Sequence, residues 1–179
     1  MDFLNLFYLL FPVFVANMAP QVASRLEILK FLDKPVDFGK SVFGKRIFGQ
    51  NKTFRGFFVG VIFGVVISFL QYILAANKII EIEKLSGLWQ FLAFGFLAGF
   101  GALAGDSIES FLKRQVGIKE GRPFIPFDQI DYIIGFLFFT SLVVSWEWKE
   151  IIFALLCGAF LNPIVNFLAY LLRIKKTYW

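Results

Sequence analysis

The chain has 179 residues, of which 58% are hydrophobic and 17% are charged, and its mean hydropathy is +0.72. Soluble domains carry about 25% charged residues, so this composition excludes an ordinary water-soluble domain. The net charge of +5 invites comparison with nucleic-acid-binding proteins. The distribution of the basic residues along the chain matches membrane topology instead, and we expect no nucleic-acid partner.

Five apolar stretches dominate the chain. A transmembrane helix needs roughly 20 mostly apolar residues, and the stretches that meet this requirement are Asp2–Ala23, Phe54–Ala76, Leu88–Ala104, Ile130–Trp146 and Ile151–Leu172. We therefore predict an all-α integral membrane protein. Its single membrane-embedded domain, residues 1–179, is expected to form a five-transmembrane-helix bundle with extended loops on one side.

The basic residues predict how the bundle is oriented. Of the 18 Lys and Arg residues, all but Lys78, Lys84 and Lys149 lie between the first and second stretches, between the third and fourth, or after the fifth. The last group includes Lys175 and Lys176. Because cytoplasmic loops are enriched in Lys and Arg, we expect the N-terminus outside and the C-terminus in the cytoplasm of a cell-membrane protein.

Glycines and cations crowd the segment that leads into the second apolar stretch. It reads Gly44-Lys-Arg-Ile-Phe-Gly49, then Asn51-Lys-Thr-Phe-Arg-Gly56. Glycine lets backbone N–H groups approach anionic oxygens, a helix start presents unpaired N–H groups, and Lys or Arg supplies charge. The pattern favours phosphate binding, with a juxtamembrane anchor as the alternative. The candidate phosphate-binding residues are Gly44, Gly49, Asn51, Lys52, Thr53 and Arg55.

Acidic residues flank the connection between the third and fourth stretches. Asp106, Glu109 and Lys113 recur at the spacing of one helical face, provided that the third helix continues past its apolar stretch. Asp128 and Asp131 repeat this spacing where the fourth helix is expected to begin. Carboxylates at the membrane margin are costly unless paired, and by default they indicate an ion or substrate site. The alternative is that they are interfacial groups that favour a positive helix start.

The available side chains suit one type of chemistry. Carboxylate oxygens suit Mg²⁺, which commonly takes one or two of them and completes its shell with phosphate and water. The chain has no histidine, the most frequent general base, whereas a phosphate monoester is already an ionised nucleophile near neutral pH. The residues therefore predict phosphoryl or nucleotidyl transfer, in which positioning and charge neutralisation carry most of the catalysis.

Over nearly its whole length the sequence resembles the CDP-archaeol synthase family of archaea, relatives of the phosphatidate cytidylyltransferases. The segments that carry the resemblance are Ala16–Pro20, Asp37–Gly39, Gly44–Gly56, Gly105–Lys119, Pro126–Tyr132 and Phe167–Trp179. The broader cytidylyltransferase signature looks similar at Asp106, Ser107, Lys113, Arg114, Lys119, Asp128 and Asp131. The bacterial histidine-glycine stretch is missing, and Asp128-Gln129 replaces the bacterial aspartate-arginine pair, which favours the archaeal branch.

The resemblance implies an enzyme that transfers CMP from CTP to unsaturated archaetidic acid (digeranylgeranylglyceryl phosphate) and releases pyrophosphate, with Mg²⁺ as cofactor. We hypothesise that Asp106, Asp128 and Asp131 hold Mg²⁺, with Glu109 as a weaker candidate. Three cations would neutralise the leaving pyrophosphate or the lipid head: Lys113, Arg114 and Lys119. The expected partners are CTP, the isoprenoid ether lipid phosphate and the bilayer, and we infer no protein partner.

Two other functions stay open from the sequence. A CTP-dependent kinase acting on a prenol or other lipid would share the metal and cations but would attack the γ-phosphate. A transporter should have charged or broken helices at mid-membrane, whereas Gly56–Tyr72 and Leu88–Ala104 contain no acid or base. Polar or helix-breaking residues within the first and fifth stretches either bond across helices or shape a lipid-binding groove: Asn17, Pro20, Asn162, Pro163 and Asn166.

Overall fold

The computed structural model describes residues 3–174; Met1, Asp2 and residues 175–179, including Lys175 and Lys176, lie outside the described residues. Six α-helices account for most of the described chain: α1 (Phe3–Leu9), α2 (Phe11–Arg25), α3 (Phe54–Ala76), α4 (Gly87–Gln115), α5 (Phe127–Thr140) and α6 (Trp148–Leu171). The predicted helical class is confirmed. Loop A (residues 26–53) adds a 3₁₀ turn, Lys30–Leu32, and an antiparallel hairpin of β1 (Ser41–Val42) and β2 (Lys45–Arg46). Loop B (residues 116–126) joins α4 to α5.

Within residues 3–174, four helical stretches are long and apolar enough to cross a membrane: Phe3–Arg25, Phe54–Ala76, Gly87–Gln115 and Trp148–Leu171. The predicted span Ile130–Trp146 corresponds to α5, which has 14 residues, fewer than the roughly 20 that cross the hydrocarbon core. Hydrogen-bonded turns continue beyond α5, and the Val144 N–H donates to the Thr140 carbonyl (2.9 Å). A multi-pass membrane protein is thus confirmed, whereas a fifth crossing stays a prediction.

The first span is interrupted between α1 and α2. Pro12 has no N–H, so it cannot donate to the Tyr8 carbonyl four residues earlier. The Gln71 amide of α3 donates to this carbonyl instead, at 2.6 Å. Because an unsatisfied carbonyl is costly in hydrocarbon, Gln71 stabilises the break and ties α3 to the first span.

Helix α4 is the central element. It has 29 residues and continues past the predicted end at Ala104 to Gln115, so the condition for a single face of polar residues is met. It packs against α2, α3 and α5, and the largest fully buried side chains, Phe91, Phe94 and Phe136, lie along these contacts.

Glycines allow α4 to approach its neighbours closely. A Cβ atom added at Gly64 of α3 would lie 2.5 Å from the Gly95 carbonyl oxygen of α4. One added at Gly101 of α4 would lie 2.6 Å from the Gly135 carbonyl oxygen of α5. These separations are shorter than any side chain tolerates, so α3, α4 and α5 meet backbone to backbone, as small residues permit in membranes.

Gly135→Ala is expected to destabilise the bundle by about 1–3 kcal/mol, because the new methyl group would overlap backbone atoms of α4 that cannot move aside. Thermal unfolding of the protein in detergent measures this. Gly56→Ala is the matched control, since its Cβ would meet Pro20 and Thr53 atoms at ordinary distances of 3.5 and 3.6 Å. Equal stability of the two variants would contradict close α4–α5 contact.

Loop A is organised around one buried carboxylate. Asp37 accepts hydrogen bonds from the backbone N–H groups of Gly39, Phe48 and Gly49 and pairs with the Arg46 guanidinium at 3.2 Å. Burial by itself raises the pKa of Asp37, but Arg46 and the three backbone donors together lower it by more. The pKa of Asp37 therefore lies well below its ordinary value. Asp37 therefore stays ionised throughout the physiological pH range.

A carboxylate with a depressed pKa stabilises the fold fully above its ordinary pKa of about 3.9, and this contribution is lost as the pH falls through the lower folded value. We therefore expect the protection of loop A amides from hydrogen exchange, corrected for intrinsic rates, to be constant between pH 8 and pH 5. Asp37→Asn should lower this protection throughout the range, by roughly 2 kcal/mol. Loss of wild-type protection between pH 8 and pH 5 would disprove this role of Asp37.

Candidate active site

A cavity of about 560 Å³ lies at the end of the bundle where α2, α4 and α6 finish and α3 and α5 begin. It brings together residues that are far apart in sequence. The predicted site residues that line it are Asn51, Lys52, Thr53, Asp106, Glu109, Lys113, Asp128 and Asp131.

Three carboxylates form an acidic group on one wall of this cavity. Asp106 and Glu109 lie one turn apart on α4, and Asp131 faces them from α5; one oxygen of each lies within 4.8 Å of the others. Gly105 permits this approach, because a Cβ atom there would collide with the Asp131 carbonyl oxygen. The acidic group thus depends on the close contact of α4 and α5.

The donor set of the acidic group fits Mg²⁺, which prefers carboxylate oxygens and keeps further positions for water and phosphate. Glu109 Oε1 is buried and has no hydrogen-bond partner among the described residues, although Lys113 Nζ lies 3.2 Å away as an ion-pair contact. The ammonium contact leaves this buried oxygen with unused acceptor capacity, which is costly and which a divalent cation shared with Asp106 and Asp131 would satisfy. Glu109 therefore belongs in the candidate metal site together with Asp106 and Asp131.

Two lysines face the carboxylates. Lys52 of loop A places its Nζ 2.5 Å from Asp106 Oδ2. Lys113 of α4 places its Nζ 2.7 Å from Asp128 Oδ1, besides its contact with Glu109. Both ammonium groups line the cavity, so they can balance the acids in the ligand-free protein and bind phosphate oxygens when substrate is present.

Asp128 differs from the predicted arrangement. It lines the cavity and contacts Glu109, but it is not one of the three carboxylates that form the acidic group. Its Oδ1 accepts from Lys113 Nζ and its Oδ2 accepts from the Phe124 N–H at 2.6 Å, because it sits in the first turn of α5, beside the end of loop B. The structure therefore gives Asp128 a visible role in holding Lys113 and loop B, and its role as a metal ligand stays a prediction.

The end of loop A presents the candidate phosphate-binding residues. Thr53 is the N-cap of α3, and its hydroxyl accepts from the Gly56 N–H at 3.2 Å. Asn51 and Lys52 precede it and line the same wall. The Phe54 N–H is also bonded, to the Lys34 carbonyl at 3.0 Å, so the start of α3 offers the cavity mainly the partial positive charge of its helix dipole.

Other predicted site residues do not line the cavity. Arg55 is buried and pairs with Asp33 and with the Ser24 hydroxyl, both at 2.9 Å, which ties loop A to the helices. Gly44 lies in the turn of the loop A hairpin, and Gly49 lies further along the same loop. Lys119 is exposed on loop B. Arg114 lies in the last turn of α4 with its Nε buried. For these residues phosphate binding stays a prediction.

Asn162 and Asn166 were predicted either to bond across helices or to shape a lipid-binding groove, but they were not assigned to the active site, whose cavity they line. Asn162 of α6 donates to the Asp128 carbonyl at 2.7 Å, and Asn166 donates to the Asn162 side chain at 2.9 Å. Their spacing of four residues on an otherwise apolar helix was the available signal. Arg122 of loop B also lines the cavity, and in the sequence it was only one of several loop cations.

A smaller, apolar cavity of about 140 Å³ adjoins the polar one, with Asn17 and Asn162 common to both linings. Its wall is mainly aromatic and aliphatic and includes Phe7, Phe11 and Phe14. A polar, charged cavity with an apolar one beside it suits an amphiphile with an anionic head and a hydrocarbon tail.

Comparisons with known proteins agree with this chemistry. A family model described as CarS-like CDP-archaeol synthase matches residues 2–179. The CDP-archaeol synthase of Pyrobaculum islandicum is 34% identical over 180 aligned positions that cover 100% of both chains. That of Archaeoglobus fulgidus is 40% identical over 159 positions, which cover 81% of this chain and 84% of that protein.

A solved structure, described as an intramembrane enzyme for archaeal membrane lipids biosynthesis, is similar with a TM-score of 0.75 and 28% identity. The similarity covers 92% of this chain and 94% of that one. The family model matches almost the full length of this chain, and both relatives are more than 30% identical to it over most of their own length. The chain therefore belongs to the CDP-archaeol synthase family of CTP-dependent nucleotidyltransferases.

Proposed function

We propose that this protein transfers CMP from CTP to digeranylgeranylglyceryl phosphate, which yields CDP-archaeol and pyrophosphate. The observation that carries the proposal is the acidic group of Asp106, Glu109 and Asp131, which lies beside Lys52 of loop A in a cavity that adjoins an apolar one. A triphosphate, a divalent cation and a lipid phosphate each find complementary groups there.

The acidic group would hold Mg²⁺, while Asp128 would hold Lys113 and the end of loop B beside it. When bound, Mg²⁺ supplies positive charge that neutralises the triphosphate and favours a single orientation of it. Lys52, with Asn51 and Thr53 beside it, is placed to bind phosphate oxygens at the start of α3. Lys113 and the cations of loop B, including Arg122, would stabilise the leaving pyrophosphate or hold the lipid head.

The reaction needs no general base. A lipid phosphate oxygen, already ionised near neutral pH, attacks the α-phosphorus of CTP in line with the bond to the β-phosphate. A new bond forms between this oxygen and the α-phosphorus, and the bond from the α-phosphorus to the oxygen that bridges it to the β-phosphorus breaks. The electron pair of the broken bond leaves with pyrophosphate. This accounts for a site built from acids, cations and amides in a chain that has no histidine, since positioning and charge stabilisation carry phosphoryl chemistry.

The apolar cavity would accept part of an isoprenoid chain. Its lining residues come from the first span, α5 and α6, and the outer faces of these helices carry exposed apolar side chains such as Phe11 and Phe160. The remaining length of each chain can lie in the bilayer, so the lipid phosphate reaches the polar cavity without leaving the membrane.

We also propose five membrane crossings with the site at the cytoplasmic face. The cavity lies where α2, α4 and α6 end and α3 and α5 begin. This is expected if successive spans cross the membrane in alternating directions and α5 is a short additional crossing. Loops A and B lie at this end, and together with the helix ends that flank them they carry 12 of the 18 Lys and Arg residues, which is typical of a cytoplasmic face.

Asp106→Asn and Asp131→Asn are each expected to lower the rate of CDP-lipid formation by about 100-fold or more, because each removes a charged oxygen from the acidic group. The rate is measured with purified protein, labelled CTP and lipid phosphate, over a range of Mg²⁺ concentrations. Glu83→Gln, in the exposed connection before α4, is the control and should keep wild-type turnover.

Asp128→Asn is the informative comparison for the metal site. Because its oxygens contact Lys113 and the Phe124 N–H, we expect lower turnover without a higher Mg²⁺ concentration for half-maximal activity. A higher Mg²⁺ requirement would instead establish Asp128 as a ligand. Wild-type turnover in Asp106→Asn, Asp131→Asn and Asp128→Asn alike would contradict the proposed site.

The products distinguish nucleotidyl transfer from a lipid kinase. CTP labelled at the α-phosphorus should pass its label to the lipid and release unlabelled pyrophosphate, since the α–β bond breaks. Thin-layer chromatography of the lipid extract measures this, and the corresponding lipid alcohol without phosphate should not react. Label retained in CDP, with transfer from γ-labelled CTP to lipid, would establish a kinase and refute the proposal.

A further inference from the structure

Four consecutive backbone N–H groups at the end of loop A are bound by two carboxylates. Asp37 Oδ2 accepts from Phe48 and Gly49, both at 3.1 Å. Glu120 Oε1 accepts from the next two, Gln50 at 2.6 Å and Asn51 at 3.2 Å. Asp37 belongs to loop A itself, whereas Glu120 comes from loop B, 70 residues along the chain from Gln50.

The segment held by Glu120 leads directly into the cavity wall. Asn51, whose N–H is bound by Glu120, lines the cavity together with the next two residues, Lys52 and Thr53. The Lys52 Nζ lies 2.5 Å from Asp106 Oδ2. On the other side of the contact, Arg122 lies two residues after Glu120 and lines the same cavity. The Glu120 side chain thus joins loop A, which supplies Lys52, to loop B, which supplies Arg122.

The contact is shaped for Glu120. Gly49 has a φ of +111°, which side chains rarely adopt, and a Cβ atom there would lie 2.7 Å from Glu120 Oε1. Among residues 3–174, no Lys or Arg is found in an ion pair with Glu120, so its recorded partners are backbone N–H groups. A carboxylate that accepts two N–H bonds forms strong charge-assisted contacts, and here both end on one oxygen.

We infer that Glu120 is a positioning residue that holds Gln50 and Asn51, and through them Lys52, in place to bind the triphosphate of CTP. The inference rests on the proposed function and adds to it a residue that acts without touching substrate. Its effect is expected on CTP, which loop A contacts, and not on the lipid, because the apolar cavity lies beside the first span, α5 and α6.

Glu120→Ala and Glu120→Gln test this inference as a pair. Alanine removes the acceptor, and we expect kcat/KM for CTP to fall about 10- to 100-fold, the range seen when a residue supporting a binding group is lost. Glutamine keeps a carbonyl oxygen that can accept from both N–H groups but loses the charge that strengthens these bonds, so we expect a smaller loss than in the alanine variant, of about threefold. The KM for the lipid phosphate should be unchanged in both variants, and Glu83→Ala is the exposed acidic control.

Hydrogen exchange of the ligand-free protein provides a readout that does not depend on activity. In Glu120→Ala the N–H groups of Gln50 and Asn51 should exchange at least about tenfold faster, because they lose their acceptor. Those of Phe48 and Gly49, bound by Asp37, should keep most of their protection and serve as the internal control. Glu120→Gln should resemble the wild type at all four positions.

Three results would overturn the inference: wild-type kinetics for CTP in Glu120→Ala, unchanged exchange at Gln50 and Asn51, or equal impairment of Glu120→Gln and Glu120→Ala. The last result would indicate that the negative charge matters and the acceptor does not. If the wild-type protein forms no CDP-lipid, the proposed function fails by itself, and the exchange rates still support or contradict the role of Glu120.

Discussion

The candidate site depends on backbone contact between α4 and α5. Helices that meet through larger side chains lie 8–10 Å apart, which would separate the carboxylates that the two helices carry. Gly101, Gly105 and Gly135 remove this spacing, since a Cβ at Gly101 would lie 2.6 Å from the Gly135 carbonyl oxygen. Asp106 and Asp131 therefore meet within 4.8 Å, and the rest of the cavity is arranged around them.

Such a concentration of carboxylates at a membrane margin needs compensating charge. Lys52 and Lys113 supply it, each within hydrogen-bonding distance of an aspartate. In the proposed reaction the same ammonium groups would bind phosphate oxygens, and Mg²⁺ would neutralise the acidic group. Buried ion pairs contribute little net stability, and in this site they act mainly to preserve geometry.

Individual residues mark how far sequence reasoning extends. The helical periodicity of Asp106, Glu109 and Lys113 predicted a shared polar face, and α4 bears it out because it continues to Gln115. Arg55 was predicted to bind phosphate from its position in a cationic segment, yet it pairs with Asp33 and Ser24. The anchoring of loop A by Glu120 could not be predicted, since the bonded residues are 70 positions apart.

The sequence by itself determined the membrane class, the helical architecture, the family and the set of charged residues, because hydropathy, helical periodicity and motifs are local properties. Only the tertiary structure decided which carboxylates meet. It placed Glu109 with Asp106 and Asp131 and left Asp128 with Lys113. Distances between side chains on different helices depend on register and close packing, and these are set by glycine contacts that no local pattern specifies.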